Sequence, residues 1–179
     1  MGALLKLSQL IDAMNEYLGR AASWMVLGAC LISAANAMSR YAFDLSSNAW
    51  LEIQWYLFAA IVMLGASYTL RVNEHVRVDI VYTHLSERGK EWLDLVGTAL
   101  FLVPSMLVIA WYSIPFFMQS WDIQEMSGNA GGLIRWPVKL LVPLGFTLVA
   151  IQGVSEIIKR AAALRGWTRF ETHYERPVQ

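Results

Sequence analysis

Hydrophobic positions fill four long stretches of the chain, each bounded by charge. Ala21 to Ser39 contains no Asp, Glu, Lys, Arg or His. Ile53 to Leu70 is also free of them, and its pattern reaches back to Ala49 across Glu52. Leu95 to Trp121 forms a third such stretch, and Leu140 to Ser155 a fourth, extended backwards by Trp136, Pro137 and Val138 and forwards by Ile157 and Ile158. A bilayer core about 30 Å thick takes roughly 20 apolar helical residues to cross. The pattern therefore predicts four transmembrane helices, at about 21–39, 49–70, 92–118 and 136–158. None of the stretches alternates with period two, which a membrane barrel strand would require. The fold class expected is an all-α integral membrane protein.

The first twenty residues carry a different pattern. Leu4, Leu7, Ile11, Met14 and Leu18 recur at spacings of three and four, while Lys6, Gln9, Asp12, Asn15 and Glu16 fall largely elsewhere on the wheel. That predicts an amphipathic N-terminal helix over 1–20, lying in the membrane interface or packed on a partner protein. Residues 161–179 form a polar tail of mixed charge, expected to be frayed. Ala35-Asn36-Ala37 resembles a signal cleavage site, but the long segment before it holds Asp12 and Glu16 where a signal peptide is short and basic, so the first span is expected to be retained.

Composition narrows the class. Hydrophobic residues make up 56% and charged residues 16% of the 179, and mean hydropathy is +0.42. That excludes a disordered chain and an ordinary soluble domain. Fourteen basic and fourteen acidic residues cancel, so no charge excess recruits nucleic acid. The single cysteine, Cys30, excludes an internal disulfide, a cysteine zinc site and a dithiol redox centre. The distribution of Lys and Arg sets the expected topology. The N-terminal segment, the second loop and the tail hold two, four and five of the 14 basic residues; the opposite side holds Arg40, Arg135 and Lys139. Both termini are therefore expected in the cytoplasm. Trp50, Trp92, Trp121 and Trp136 stand at span ends, where an aromatic belt belongs.

Polar groups deep in a membrane usually mark function. Here the spans offer Ser33, Asn36, Gln54, Ser67, Thr69, Thr98, Ser105, Ser113, Thr147 and Gln152, none of them ionisable. A proton-coupled pump needs a buried carboxylate or histidine, and an intramembrane protease needs a Ser–His pair. Neither is present, so no cofactor, metal or catalytic residue is assigned. The ionisable candidates sit at the faces. Arg40 closes the first span and Glu52 opens the second, on one side of a short connection, and a structural ion pair or a lipid headgroup contact is expected there. In the second loop His75 and Asp79 are four apart, and His84 and Glu87 three apart, the spacing of a helical metal pair or, alternatively, of a hydrogen-bonded turn. Gly128-Asn-Ala-Gly-Gly suggests a flexible lead into the fourth span, with Pro137 in its first turn. Pro104, Pro115 and Pro143 are expected to bend their helices.

These residues together resemble a known family, the small membrane subunit of TRAP transporters (tripartite ATP-independent periplasmic transporters). The resemblance runs from about Ala21 to Arg160. It rests on Arg40; on Trp50-Leu-Glu52 with Gly65-Ala66 later in the same span; on His75-Val-Arg77-Val-Asp79; on Gly132-Leu-Ile-Arg-Trp136-Pro137; and on Pro143-Leu-Gly145-Phe146 with Gln152. The family often shows Gly-Leu-Pro-Trp before the fourth span, where this chain has Gly-Leu-Ile-Arg-Trp-Pro. The resemblance implies sodium-driven import of organic acids. A periplasmic binding protein delivers the substrate, and a large membrane subunit holds the transport site and moves as an elevator. The small subunit scaffolds the large one and helps receive the binding protein. The partners implied are those two proteins and membrane lipids. Arg40, Glu52, His75, Arg77, Asp79, Trp136, Pro137 and Gly145 become structural or interface candidates. The wording around Ser46-Ser-Asn-Ala-Trp is similar to a branch linked to mannitol or chloroaromatic compounds, with relatives linked to 2-oxo and 2-hydroxy monocarboxylates. Two other functions fit the bare pattern: a small four-helix exporter, which would need a carboxylate within a span, and a membrane enzyme built on His75, Asp79, His84 and Glu87.

Overall fold

The computed structural model describes residues 2–45, 47–74, 82 and 84–167. Four long helices account for most of them: α1 Gly2–Phe43, α2 Asn48–Arg71, α3 Glu87–Asp122 and α4 Trp136–Leu164. Each is long and apolar enough to cross a membrane. Among the described residues there is no strand, only an isolated bridge between Met126 and Ile134. The helices run up and down. The N-terminal part of α1, the end of α2, the start of α3 and the end of α4 meet at one end of the bundle, tied by Arg71 to Glu16 and by Arg160 to Glu91 at 3.0 Å.

Helix α4 is the centre of the molecule. In its most apolar stretch 44% of residues are buried, against 17% or fewer in the other three helices. It packs on α1, α2 and α3, and α1 also packs on α2. Leu148 of α4 joins Ala60 and Leu64 of α2 in the buried core, with Leu18 and Met25 of α1 against them. Without a strong hydrophobic drive between helices in lipid, close approach through small side chains supplies much of the packing. Gly153 of α4 is one such point: a Cβ there would lie 2.6 Å from Val103 Cγ2 and 2.9 Å from Leu102 Cδ2.

Those two residues belong to a local defect in α3. From Thr98 to Leu102 the helix widens into a π turn, closed by the Val103 N–H on the Thr98 carbonyl. Pro104 follows directly and has no N–H to continue the regular ladder. The expected bend at Pro104 thus takes the form of a π turn, a common way for a helix to absorb such an interruption. Ser86 caps the start of α3 by accepting from the Gly89 N–H at 3.3 Å, and Glu87 adds an acidic charge in the first turn.

The N-terminal segment departs from expectation. It is not a separate amphipathic helix but the opening turns of a continuous 42-residue helix, about 63 Å long at 1.5 Å per residue and twice the thickness of a bilayer core. Its amphipathic character is not clear-cut either. The buried positions are Ser8, Ile11, Asn15 and Gly19, whereas Leu4, Leu7, Leu10, Met14 and Tyr17 are exposed. The polar side turns inward because α4 offers it polar partners.

Candidate functional site

Polar side chains gather at the two ends of the bundle. At the end shared by the N-terminal part of α1 and the last turns of α4, the Asn15 amide donates to Gln152 Oε1 at 2.6 Å, and both residues are fully buried. Gln152 in turn donates to Asp12 and Glu156, each at 2.9 Å. The Ser8 and Ser155 hydroxyls lie 2.8 Å apart, and Ser155 also reaches Asp12 at 2.8 Å. Lys159 closes the cluster with ion pairs to Asp12 at 3.0 Å and Glu156 at 2.6 Å. Burial alone would raise the Asp12 carboxyl, but donation from Gln152 and Ser155 and the Lys159 charge outweigh it and hold it below its ordinary value.

The same end ties in the remaining helices. Arg160 binds Glu91 and Asp94 of α3, each at 3.0 Å. Burial disfavours its charge, yet Asp94, Glu91 and Glu156 more than offset that and raise its pKa. Arg71, at the end of α2, pairs with Glu16, which Arg20 also contacts at 3.0 Å. Tyr82 donates to Asp94 at 3.2 Å. Charges from all four helices thus share one layer.

At the opposite end the connection between α3 and α4 folds over the start of α2. The Ser127 N–H meets the Leu133 carbonyl at 2.9 Å, and the Arg135 N–H meets the Glu125 carbonyl at 2.8 Å. The expected flexible glycine lead is therefore a hydrogen-bonded turn. Glu52 organises it. Its side chain is 3% exposed; Oε1 accepts from the Ser127 hydroxyl and from Asn129 at 2.8 Å, and Oε2 from the Leu133 N–H at 2.6 Å. Gly132 has to lack a side chain, because a Cβ would stand 2.9 Å from Glu52 Oε1. Asn48 adds a bond to the Ala130 carbonyl at 2.9 Å, and the Tyr56 hydroxyl one to Ile134 at 3.0 Å. Beside the turn, Glu125 pairs with Lys139 and, at 3.6 Å, with Arg135. The Lys139 ammonium donates to the Glu125 carboxyl and holds it below the usual range.

The sequence candidates distribute as follows. Glu52 is the pivot of the turn, but the expected pair with Arg40 is not formed. Arg40 lies exposed in the last turn of α1, and among the described residues Glu52 takes its hydrogen bonds from the turn instead. Three short donors fixed by one loop reach a buried carboxylate at less entropic cost than a long arginine held on another helix. Trp136 opens α4 with its ring edge-on to Trp121, centroids 4.6 Å apart, and Pro137 sits in the same first turn. Gly145 faces α2, where a Cβ would stand 2.7 Å from Met63 Cβ. His75, Arg77 and Asp79 lie outside the described residues. Sequence inspection noted Gln152 but missed its partners Asp12, Asn15 and Glu156. Asp12 and Asn15 fall on the polar side of the expected surface helix, and only their spacing of three hints that they share a face with one purpose.

Among the described residues, the two polar clusters tie helices to one another. A C4-dicarboxylate TRAP transporter small permease protein DctQ from Vibrio cholerae serotype O1 (strain ATCC 39315 / El Tor Inaba N16961) is 27% identical over 117 residues, covering 64% of this chain and 49% of its own length. The chain thus spans about half the length of that relative. No solved structure gives a significant match. The family described as "Tripartite ATP-independent periplasmic transporters, DctQ component" matches residues 29–163, which run from the middle of α1 to the last turn of α4. With most of its length so matched, the chain belongs to the DctQ component family of tripartite ATP-independent periplasmic transporters.

Proposed function

We propose that this small permease subunit serves a sodium-driven, binding-protein-dependent importer of organic acids. In this reading it scaffolds a large elevator subunit in the bacterial inner membrane and helps dock the periplasmic binding protein. The observation that carries the reading is the family match over 29–163. The relative's C4-dicarboxylate label supports a carboxylate substrate. The structure adds support of a physical kind. Ionisable side chains sit near the two ends of the bundle, and the middles of the spans hold none, which suits a scaffold better than an ion-coupled carrier. Apolar side chains line the outer flanks of α1 and α3, among them Trp24, Leu27, Leu31, Leu107 and Trp111, all exposed and available to lipid or to a larger helical partner.

In the same reading both termini are cytoplasmic, and the turn over Glu52 faces the periplasm towards the binding protein. The block His75, Arg77 and Asp79 secures the cytoplasmic connection to the large subunit. Reconstitution tests the proposal. Vesicles holding this subunit, the large subunit and the binding protein should take up a labelled dicarboxylate or monocarboxylate in a sodium gradient. Omission of this subunit should abolish uptake. Uptake by this subunit alone would refute the scaffold role.

A further inference from the structure

A cavity of about 370 Å³ opens beside the turn over Glu52, between the starts of α2 and α4 and the end of α3. Its walls are Trp55 and Tyr56 of α2, Phe116 of α3, and Val138 and Val142 of α4. Two cations stand at its edge, Arg135 and Lys139. They are four residues apart around the start of α4 and so share one face of it. We propose that this cavity is a phospholipid site, with a lipid phosphate on Arg135 and an acyl chain along Trp55, Phe116 and Val142.

Three observations carry the assignment. The first is depth. Trp50, Trp121 and Trp136 surround the same end of the bundle, and tryptophans collect at the level of lipid headgroups. A cation at that level meets phosphate rather than hydrocarbon. The second is charge. Glu52 lines the cavity, but both its oxygens are engaged by Ser127, Asn129 and the Leu133 N–H in the turn. Glu125 is taken up by Lys139, whose ammonium also stands 4.3 Å above the Phe116 ring. Arg135 is the cation left with donors to spare: its side chain is 46% exposed and meets Glu125 only at 3.6 Å. A guanidinium suits a phosphate because two parallel N–H groups can engage two oxygens. The third is shape. The walls are aromatic and aliphatic, so a small hydrophilic anion would leave them bare, whereas a lipid fills them with its chain. Basic pockets between membrane helices bind acidic headgroups by the same combination.

Native mass spectrometry of the subunit in mild detergent, titrated with phosphatidylglycerol, tests this. The wild-type chain should bind the lipid. Arg135→Gln should weaken binding about tenfold, the loss of one charge-assisted contact. Arg135→Lys should retain part of it. Val142→Trp, which fills the slot and leaves the cations in place, should also weaken it. Glycerol phosphate, the headgroup without chains, should not compete. Equal lipid binding in Arg135→Gln and Val142→Trp would overturn the site. So would effective competition by glycerol phosphate, which would mark a small-anion site. Equal binding of uncharged diacylglycerol would reduce it to an apolar slot and overturn the phosphate role. A melting curve in lipid-free detergent checks each variant's fold, and if Arg135→Gln does not fold, Val142→Trp decides.

Discussion

Single side chains here act mainly as fasteners. Glu52 holds a turn that reaches it from another part of the chain, while Arg40, at the same end of the molecule, stays exposed. Glu52→Gln keeps the shape but replaces one charged acceptor oxygen with a donor facing other donors. It should lower the melting temperature and expose the 123–135 turn to protease, whereas Arg40→Gln should change neither. Equal effects of the two changes would show that the carboxylate is not the pivot. Asp12 gives a pH signature. Its folded pKa is depressed below the ordinary 3.8 by Gln152, Ser155 and Lys159 despite burial. Its contribution is therefore fully present above that ordinary value and is lost as pH falls through the lower, folded one. Acid should release the N-terminal turns of α1, detected as faster proteolysis near Leu7. Asp12→Asn should release them at neutral pH and flatten the acid dependence.

At the scale of elements, two contacts decide how the helices sit. The first is the seam between α1 and α4, where the Asn15 amide donates to Gln152 away from solvent. Gln152→Leu leaves the Asn15 amide buried and unpaired. That should cost about 1–3 kcal/mol, measured by thermal melts in detergent, with Asn15→Leu in the same background recovering part of the loss. The second is the π turn of α3 on Gly153. A leucine at Gly153 would collide with Val103 and Leu102 and should destabilise the bundle by about 1–3 kcal/mol. Replacing Pro104 with Ala in that variant would show whether the π turn can relax to relieve the clash.

For the whole molecule, the arrangement predicts sidedness as well as stability. The charged layer that joins all four helices lies at one end and the turn over Glu52 at the other. In a Cys30→Ser background, cysteines at Ser47 and Gly128 should react with an impermeant reagent from the periplasm. One at Glu87 should react only after the membrane is opened. Labelling at Glu87 in intact cells would invert the topology. The expected orientation rests on sequence alone: lysine and arginine near span ends resist translocation.

Four apolar spans and the absence of ionisable groups within them were determined by the sequence, because the cost of polar groups in hydrocarbon leaves a one-dimensional trace. The resemblance of Trp50-Leu-Glu52 and Gly132 through Pro137 to one family was equally open to inspection. Partner choice was not. Periodicity put Asp12 and Asn15 on the polar side of a surface helix, and they turn instead towards α4 on the inner face of α1. A period of 3.6 states which residues share a face, but which face is covered depends on the neighbour, and Gln152 and Ser155 lie 137 and 147 residues away along the chain from the residues they meet. Glu52 likewise stands immediately before the apolar run, and proximity in sequence matched it to Arg40. The fold decided for Ser127, Asn129 and Leu133, because a buried carboxylate binds where several fixed donors converge, and convergence exists only once the helices have packed.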